Sequence, residues 1–228
     1  MIELACYYSL SSPWAYLAGP KLQDIVRRHH ASLRLKPYDF QVVAPINGGV
    51  PIRTRPEPRQ TYHADELDRW RKYLGMPLVL EPKHYPKDGN PPGWNKPPGW
   101  MVIAAQEAGL DAQRLSHALL RALWAEERDT ASPEVRRTIA IENGLDGDAL
   151  LGAESSVRVQ ALYRQFSAEA ESIGVFGAPT FVLEGVRYWG QDRLDFVDRA
   201  LDAIRNDACL LYRGAYSAVA DIEPGRSG

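Results

Sequence analysis

The stretch that decides the fold is residues 2–17, Ile2-Glu3-Leu4-Ala5-Cys6-Tyr7-Tyr8-Ser9-Leu10-Ser11-Ser12-Pro13-Trp14-Ala15-Tyr16-Leu17. Ile2 to Tyr8 form a short apolar run that suits a buried strand. Ser9 to Ser12 read as a turn. Beyond it Trp14, Tyr16, Leu17, Leu22, Ile25 and Val26 recur at helical spacing. Serine followed by proline at the head of such a pattern is a strong start signal, with Ser12 as N-cap and Pro13 as the first helical residue. The pattern predicts a helix to about His30. Leu33, Leu35, Pro37, Tyr38 and Phe40 then alternate as a second strand. The chain opens β-α-β, and a right-handed crossover between parallel strands follows by default.

Outward from this unit, residues 41–60 are rich in Pro, Gly and Arg and read as a loop. Leu67, Trp70, Arg71 and Leu74 suggest a helix over 64–74, ended by Gly75 and Pro77. The stretch 82–100 holds six prolines and three glycines, with Pro-Pro-Gly-Trp at 91–94 and again at 97–100. Each unit is too small to pack as a repeat. A polyproline-like lid or exposed loop is the expectation. Trp94 and Trp100 read either as loop anchors or as ligand platforms.

Helical patterns follow over 102–109, 113–127, 132–143 and 154–172, with Gly109, Gly144 and Gly174 where helix-terminating glycines belong. Pro179 to Leu183 and Val186 to Trp189 form a predicted hairpin around Glu184-Gly185. Gly190-Gln191-Asp192 leads into a last helix, about 192–205. The predicted architecture is α/β: a β-α-β / β-β-α sheet unit built from 1–45 and 175–210, interrupted by an all-helical subdomain over 60–174, with a C-terminal tail over 211–228.

The 228 residues carry a formal charge of −2 and a pI near 6.2, so there is no basic excess to hold a phosphate backbone, and nucleic acid is excluded as a partner. No run approaches the roughly 18 apolar residues of a membrane span. Met1-Ile2-Glu3-Leu4 lacks the basic and apolar regions of a secretory signal, which makes the cytoplasm the expected compartment. Two cysteines, Cys6 and Cys209, make no disulfide framework. The histidines, His29, His30, His63, His84 and His117, show no metal-ligand spacing, and no metal is expected. Neither a dinucleotide fingerprint nor a P-loop is present.

A strand, a helix whose N-terminus carries the active residue, a second strand, a helical insert and a proline-led β-β-α unit make up the plan of the thioredoxin-like fold. Within it, Ser-Pro-Trp-Ala-Tyr-Leu at 12–17, Gly-Met-Pro-Leu at 75–78, Phe-Gly-Ala-Pro-Thr-Phe at 176–181 and Tyr-Trp-Gly-Gln-Asp-Arg-Leu at 188–194 resemble the 2-hydroxychromene-2-carboxylate isomerase family. That family is related to kappa-class glutathione transferases and DsbA-type oxidoreductases. The resemblance spans roughly residues 2–205. It implies a cytoplasmic homodimer of aromatic catabolism. Its cofactor would be glutathione and its substrate a chromene carboxylate or small aromatic 2-oxo acid.

The residue chemistry is compatible with that implication. A helix N-terminus presents unpaired N–H groups and about half a positive charge. In a redox thioredoxin it stabilises a cysteine thiolate. The tetrad here is Ser12-Pro13-Trp14-Ala15, with neither thiol, so disulfide exchange is excluded at this site. Cys6 lies within the first strand and reads as a buried structural residue. An electropositive tip without its own thiolate suits one from outside. Ser12 is then either a thiolate ligand and the catalytic residue, or a helix cap and nothing more.

The resemblance further implies a cis bond before Pro179 and pairing of the Ala178 backbone with the cysteinyl unit of glutathione. It places the γ-glutamyl end at Trp189, Gly190, Gln191 and Asp192. Asp192 reads equally as a cap of the last helix. Candidates for the organic substrate are Tyr16, Asn47, Arg53, His84, Tyr85 and Trp100, with Arg53 or Asn47 suited to a carboxylate. A glutathione-dependent isomerase, acting by reversible thiolate addition, is the leading expectation. A kappa-like transferase and a non-catalytic thioredoxin-like binding module are the alternatives.

Overall fold

A computed structural model describes residues 2–85 and 93–205. Strand β1 (Glu3–Tyr8) runs into helix α1 (Pro13–His29), and β2 (Ser32–Pro37) returns parallel to β1, with Cys6 opposite Leu35. Ser12 takes extended backbone angles and its Oγ accepts a hydrogen bond from Ala15 N at 3.2 Å, so the predicted cap forms. Arg27, Arg28 and His29 crowd the last turn, where cations oppose the negative end of the helix dipole. There His29 Nε2 meets Asp198 Oδ1 at 2.6 Å, and Arg28 Nη2 lies 3.0 Å from both oxygens of the same carboxylate.

The second half of the sheet comes from the C-terminal region. Strands β3 (Thr180–Leu183) and β4 (Val186–Trp189) form the predicted hairpin. Glu184 and Gly185 both adopt positive φ, 48° and 79°, as a type I′ turn requires. β3 pairs antiparallel to β1, with Cys6 opposite Phe181, and the sheet order is β2-β1-β3-β4. Leu4, Cys6 and Tyr8 point into the main core; Ala5 and Tyr7 point to a smaller cluster with Tyr38, Val43, Ala170 and Val175. This alternation is the period of two that any strand imposes. The main core continues from the sheet through Leu17, Leu22 and Ile25 of α1 into the helices between the two halves.

Those helices depart from the sequence expectation in three places. Residues 41–60, expected as a loop, contain helix α2 (Phe40–Ile46), a 3₁₀ turn over Ile52–Thr54 and the start of α3 (Glu57–Leu74). Phe40 therefore belongs to a helix and not to the second strand. At seven residues α2 is too short to show a period; burial of Val43 and Ala44 stabilises it, and Pro45 falls in its last turn, where it removes a single helical hydrogen bond. Gly75 ends α3 with φ 63° as expected.

The second departure is α4 (Lys96–Glu107), which passes through the second Pro-Pro-Gly-Trp copy. Pro97 and Pro98 occupy its first turn, where backbone N–H groups have no helical partner to lose. Pro98 and Gly99 are buried, so this part is neither lid nor exposed loop. The first copy overlaps residues outside the described ones.

The third is a helix the sequence reading missed. After α5 (Ala112–Trp124) and α6 (Pro133–Glu142), α7 (Gly147–Glu154) fills a stretch left unassigned, and the expected helix over 154–172 follows as α8 (Val157–Ser172). Asp146 caps α7 through Asp148 N and Ala149 N, and Ser156 caps α8 through Val159 N. The Asp146 cap was the missed signal for α7. Arg136 of α6 and Glu154 of α7 form a buried bidentate pair, 2.5 Å and 3.1 Å. Helix α9 (Leu194–Arg205) closes the described chain. The tail and Cys209 lie outside the described residues.

Candidate functional site

The turn Ser9–Ser12 delivers the chain from β1 into α1. Ser12 N donates to Ser9 O at 3.0 Å, and the Ser9 and Ser11 hydroxyls meet at 2.7 Å. Asn95, just before α4, clasps this turn by donating Nδ2 to Ser9 Oγ at 3.0 Å and to Ser11 Oγ at 3.2 Å. Asn95 is buried, and its place between the two Pro-Gly-Trp copies gave no sequence signal of this task.

Ser12 faces the start of the hairpin. Its Oγ donates to Ala178 O at 3.0 Å, a contact between residues 166 apart in sequence. The Ala178–Pro179 bond is cis. The two motifs thus meet at one point, the N-terminus of α1. Thr180 Oγ1 donates to Gly177 O at 2.8 Å and holds the segment before β3. Ser12 is 8% exposed, so its hydroxyl sits in a shielded position.

The third motif closes on the same segment. Gly190 N donates to Pro179 O at 2.9 Å. Gly190 has φ 107° and ψ 151°, a region open only to glycine, and a Cβ there would strike Asp192 Oδ1. Gly177 is equally constrained, because a Cβ would strike the Trp189 indole. Trp189 is half-exposed and packs edge-on against Phe176 with centroids 4.7 Å apart. Gln191 is buried at the start of a 3₁₀ turn, Gln191–Arg193, that precedes α9. Asp192 lies within that turn, makes no side-chain cap, and pairs with Arg193 at 2.9 Å. Its reading as a cap of the last helix is therefore corrected: the turn starts from Gly190.

The candidates for an organic substrate separate. Tyr16 is a core residue, 1% exposed, with its hydroxyl donating to Pro77 O at 2.9 Å and its ring stacked on His117. Asn47 ends α2 and its Nδ2 faces the carbonyls of Glu171 at 3.1 Å and Val175 at 3.0 Å, so it ties α2 to the end of α8. Trp100 sits in α4 with its ring edge-on to Tyr163. Tyr16 and Asn47 were singled out by side-chain type, and tertiary partners claim their polar groups instead. Arg53 and Tyr85 are brought together, the guanidinium 4.9 Å from the ring centroid, and His84 is the half-buried neighbour of Tyr85. Tyr85 in turn packs on Trp94 and Trp124. A line of contacts therefore runs from Arg53 through Tyr85 and Trp94 to Asn95, then to Ser11 beside Ser12.

Among the described residues the Ser12 hydroxyl bonds only backbone groups, Ala178 O and Ala15 N, so the electrostatics of the tip come from the helix. His63, edge-on to Trp14 at 5.5 Å, has its pKa lowered by burial and stays neutral at pH 7. Cys6 is buried under α1, and burial pushes its thiol far above the ordinary cysteine range. A protonated buried thiol is no nucleophile.

Fold and site define a thioredoxin-like protein whose helix tip carries serine in place of the redox cysteines. Residues 3–202 match the DSBA-like thioredoxin domain family. Among curated proteins, the chain is 30% identical to the 2-hydroxychromene-2-carboxylate isomerase of Sphingobium xenophagum, over 86% of this chain and 95% of that one. It is 25% identical to the enzyme of the same name from Pseudomonas putida, over 86% and 92%. A solved selenomethionine structure of 2-hydroxychromene-2-carboxylate isomerase superposes with a TM-score of 0.70 at 25% identity, covering 92% of this chain and 99% of that one. The cytosolic disulfide reductase DsbM from Pseudomonas aeruginosa, solved with GSH, superposes with a TM-score of 0.63 over 91% and 99%; at 19% identity that likeness carries the fold alone. The chain belongs to the DSBA-like thioredoxin domain family, in its 2-hydroxychromene-2-carboxylate isomerase branch.

Proposed function

We propose that this chain is a glutathione-dependent isomerase that interconverts 2-hydroxychromene-2-carboxylate and trans-o-hydroxybenzylidenepyruvate, or a close aromatic analogue. The observation that carries the reading is the 3.0 Å bond from Ser12 Oγ to Ala178 O at a helix tip with no thiol of its own. The names of the curated relatives support the reaction class.

The residues present suit glutathione. Ala178 O and the Ser12 hydroxyl can exchange partners. The hydroxyl has one hydrogen and now gives it to Ala178 O. With a thiolate at the tip it turns to the sulfur, and Ala178 O accepts the cysteinyl N–H, as in strand addition. One hydrogen bond is given up and two form. The N–H groups of α1 add about 0.3–1 kcal/mol, up to ~2 when partly buried. Glycine at 190 lets the backbone turn beside Asp192, whose carboxylate can hold the γ-glutamyl ammonium while Trp189 and Gln191 flank it.

When bound, glutathione would supply a thiolate for reversible addition to the conjugated carbon of the ring-opened acid, in which the hemiketal C–O bond has parted to give a phenol and a 2-oxo group, so that the former double bond is free to rotate before the thiolate leaves. Ser12 keeps the sulfur ionised. Arg53, beside Tyr85, faces the substrate carboxylate, with His84 and the rings of Tyr85 and Trp94 beside it. In this reading the sheet unit, 1–45 and 175–210, carries the cofactor side, and the insert, 60–174, carries the substrate side. The enzyme is read as a cytoplasmic homodimer of aromatic catabolism.

The test is calorimetry with glutathione, followed by turnover of the chromene acid monitored by ultraviolet absorbance. Binding with glutathione-dependent isomerisation and recovery of free glutathione supports the reading. A thioether product makes the chain a kappa-like transferase. Absence of binding at millimolar glutathione leaves a non-catalytic binding module and overturns it.

A further inference from the structure

A second cavity in the molecule is one that Ser12 does not line. Between α1 and α5, above the inner face of the sheet, is a cavity of about 190 Å³. An apolar cavity of about 150 Å³ takes up benzene, so this space admits one aromatic ring. Leu22, Leu35, Leu120 and Phe181 give it apolar walls. Ser12, Trp189 and Asp192 do not line it, whereas Ala15 and Pro179 do.

Among the described residues, the charged groups that line the cavity are all cationic. Gln113 Nε2 is buried and has no hydrogen-bond partner among the described residues. A buried amide donor left in this state costs stability unless something accepts from it. Arg114 and Arg121 also line the cavity, and among the described residues no Asp or Glu does. Arg121 is paired with Glu126 at 2.9 Å. Arg114 has a neutral side-chain partner, Asn143 Oδ1 at 3.3 Å, and no carboxylate within ion-pair distance among the described residues. Its charge is thus open to an anion. His117 lines the same wall, with its ring seated over Gly19, where any Cβ would collide with it. Burial and Arg121 hold its pKa down, so the positive charge here belongs to the arginines.

We propose that the α1–α5 cavity binds a small single-ring aromatic carboxylate, the ring between Leu22, Leu120 and Phe181 and the carboxylate on Gln113 Nε2 and Arg114. The ring would rest against Pro179 and Ala15, beside Ala178 and within a turn of Ser12. The inference does not depend on the isomerase reading.

The probe is benzoate, titrated into the full chain by calorimetry, with benzyl alcohol as the neutral counterpart. Benzoate is expected to bind with a dissociation constant on the order of 1 mM or below, and benzyl alcohol roughly 10-fold more weakly. Gln113→Leu and Arg114→Gln should each weaken benzoate roughly 5- to 10-fold. Ala18→Phe, which fills the cavity, should abolish binding; if it fails to fold, the other two variants still decide. No heat with benzoate, equal affinity for benzyl alcohol, or affinity unchanged in folded Gln113→Leu and Arg114→Gln overturns the proposal.

Discussion

Replacing Ser12 by alanine tests the proposed site at its centre. The substitution keeps the backbone N–H groups and the dipole of α1. It removes three interactions: the cap to Ala15 N, the bond to Ala178 O and the proposed bond to the glutathione sulfur. The cap is worth about 1 kcal/mol and a neutral hydrogen bond about as much, so the folded state should lose ~1–2 kcal/mol. A hydrogen bond to a charged group is worth about 1.5–3 kcal/mol, which corresponds to a rise of roughly one to two units in the pKa of bound glutathione. At neutral pH the rate should fall by about 10- to 100-fold. The sign fixes the shape of the profile. A raised thiol pKa depletes thiolate most below the new pKa, so activity should recover as pH rises through it. The assay is the ultraviolet absorbance of bound thiolate against pH, beside the rate over the same range, after urea unfolding has confirmed a folded variant. A folded variant with an unshifted thiolate titration and full activity would mean that Ser12 only caps the helix.

Gly190→Ala should raise the KM for glutathione and cost about 1–3 kcal/mol of stability, because φ 107° with ψ 151° excludes a side chain; steady-state kinetics and urea melts check both. Glu154→Ala leaves Arg136 charged and buried and should destabilise by about 3–5 kcal/mol in urea unfolding, with a loss below 1 kcal/mol refuting the pair's role. Cys6→Ala should lower activity by less than ~10-fold, and Cys6 in the folded protein should resist iodoacetamide, since burial keeps its thiol protonated; alkylation at the rate of a free thiol would contradict this. Burial raises the pKa of Glu169, but hydrogen bonds from Lys36 and Gln165 and the Lys36 charge outweigh it, and the net shift is downward from 4.5. Its contribution is therefore full above pH 4.5 and lost as pH falls through the lower folded value, so Glu169→Gln should flatten the acid limb of the stability curve.

Local signals in the chain determined a large part of this protein. Ser12-Pro13 starts α1, Glu184-Gly185 turns the hairpin, and Gly75, Gly109, Gly144 and Gly174 end helices with positive φ. Such signals are legible because a cap, a fixed proline φ or a left-handed turn acts within a few residues. The thiol-free tetrad likewise excludes disulfide exchange at the α1 tip without any structure. Short or proline-led elements were not legible: α2 and α7 are too brief for a period, and Pro97-Pro98 reads as a breaker although a first helical turn tolerates it. Residue type also misled at Tyr16 and Asn47, which carry suitable groups for a ligand but give them to Pro77, Glu171 and Val175. Only the folded chain brings Ser12 to Ala178 across 166 residues and sets Asn95 against Ser9 and Ser11. Those contacts follow from the register of β1 against β3 and from the packing of α4 on the core, where the partners are remote in sequence and no local pattern encodes the pairing.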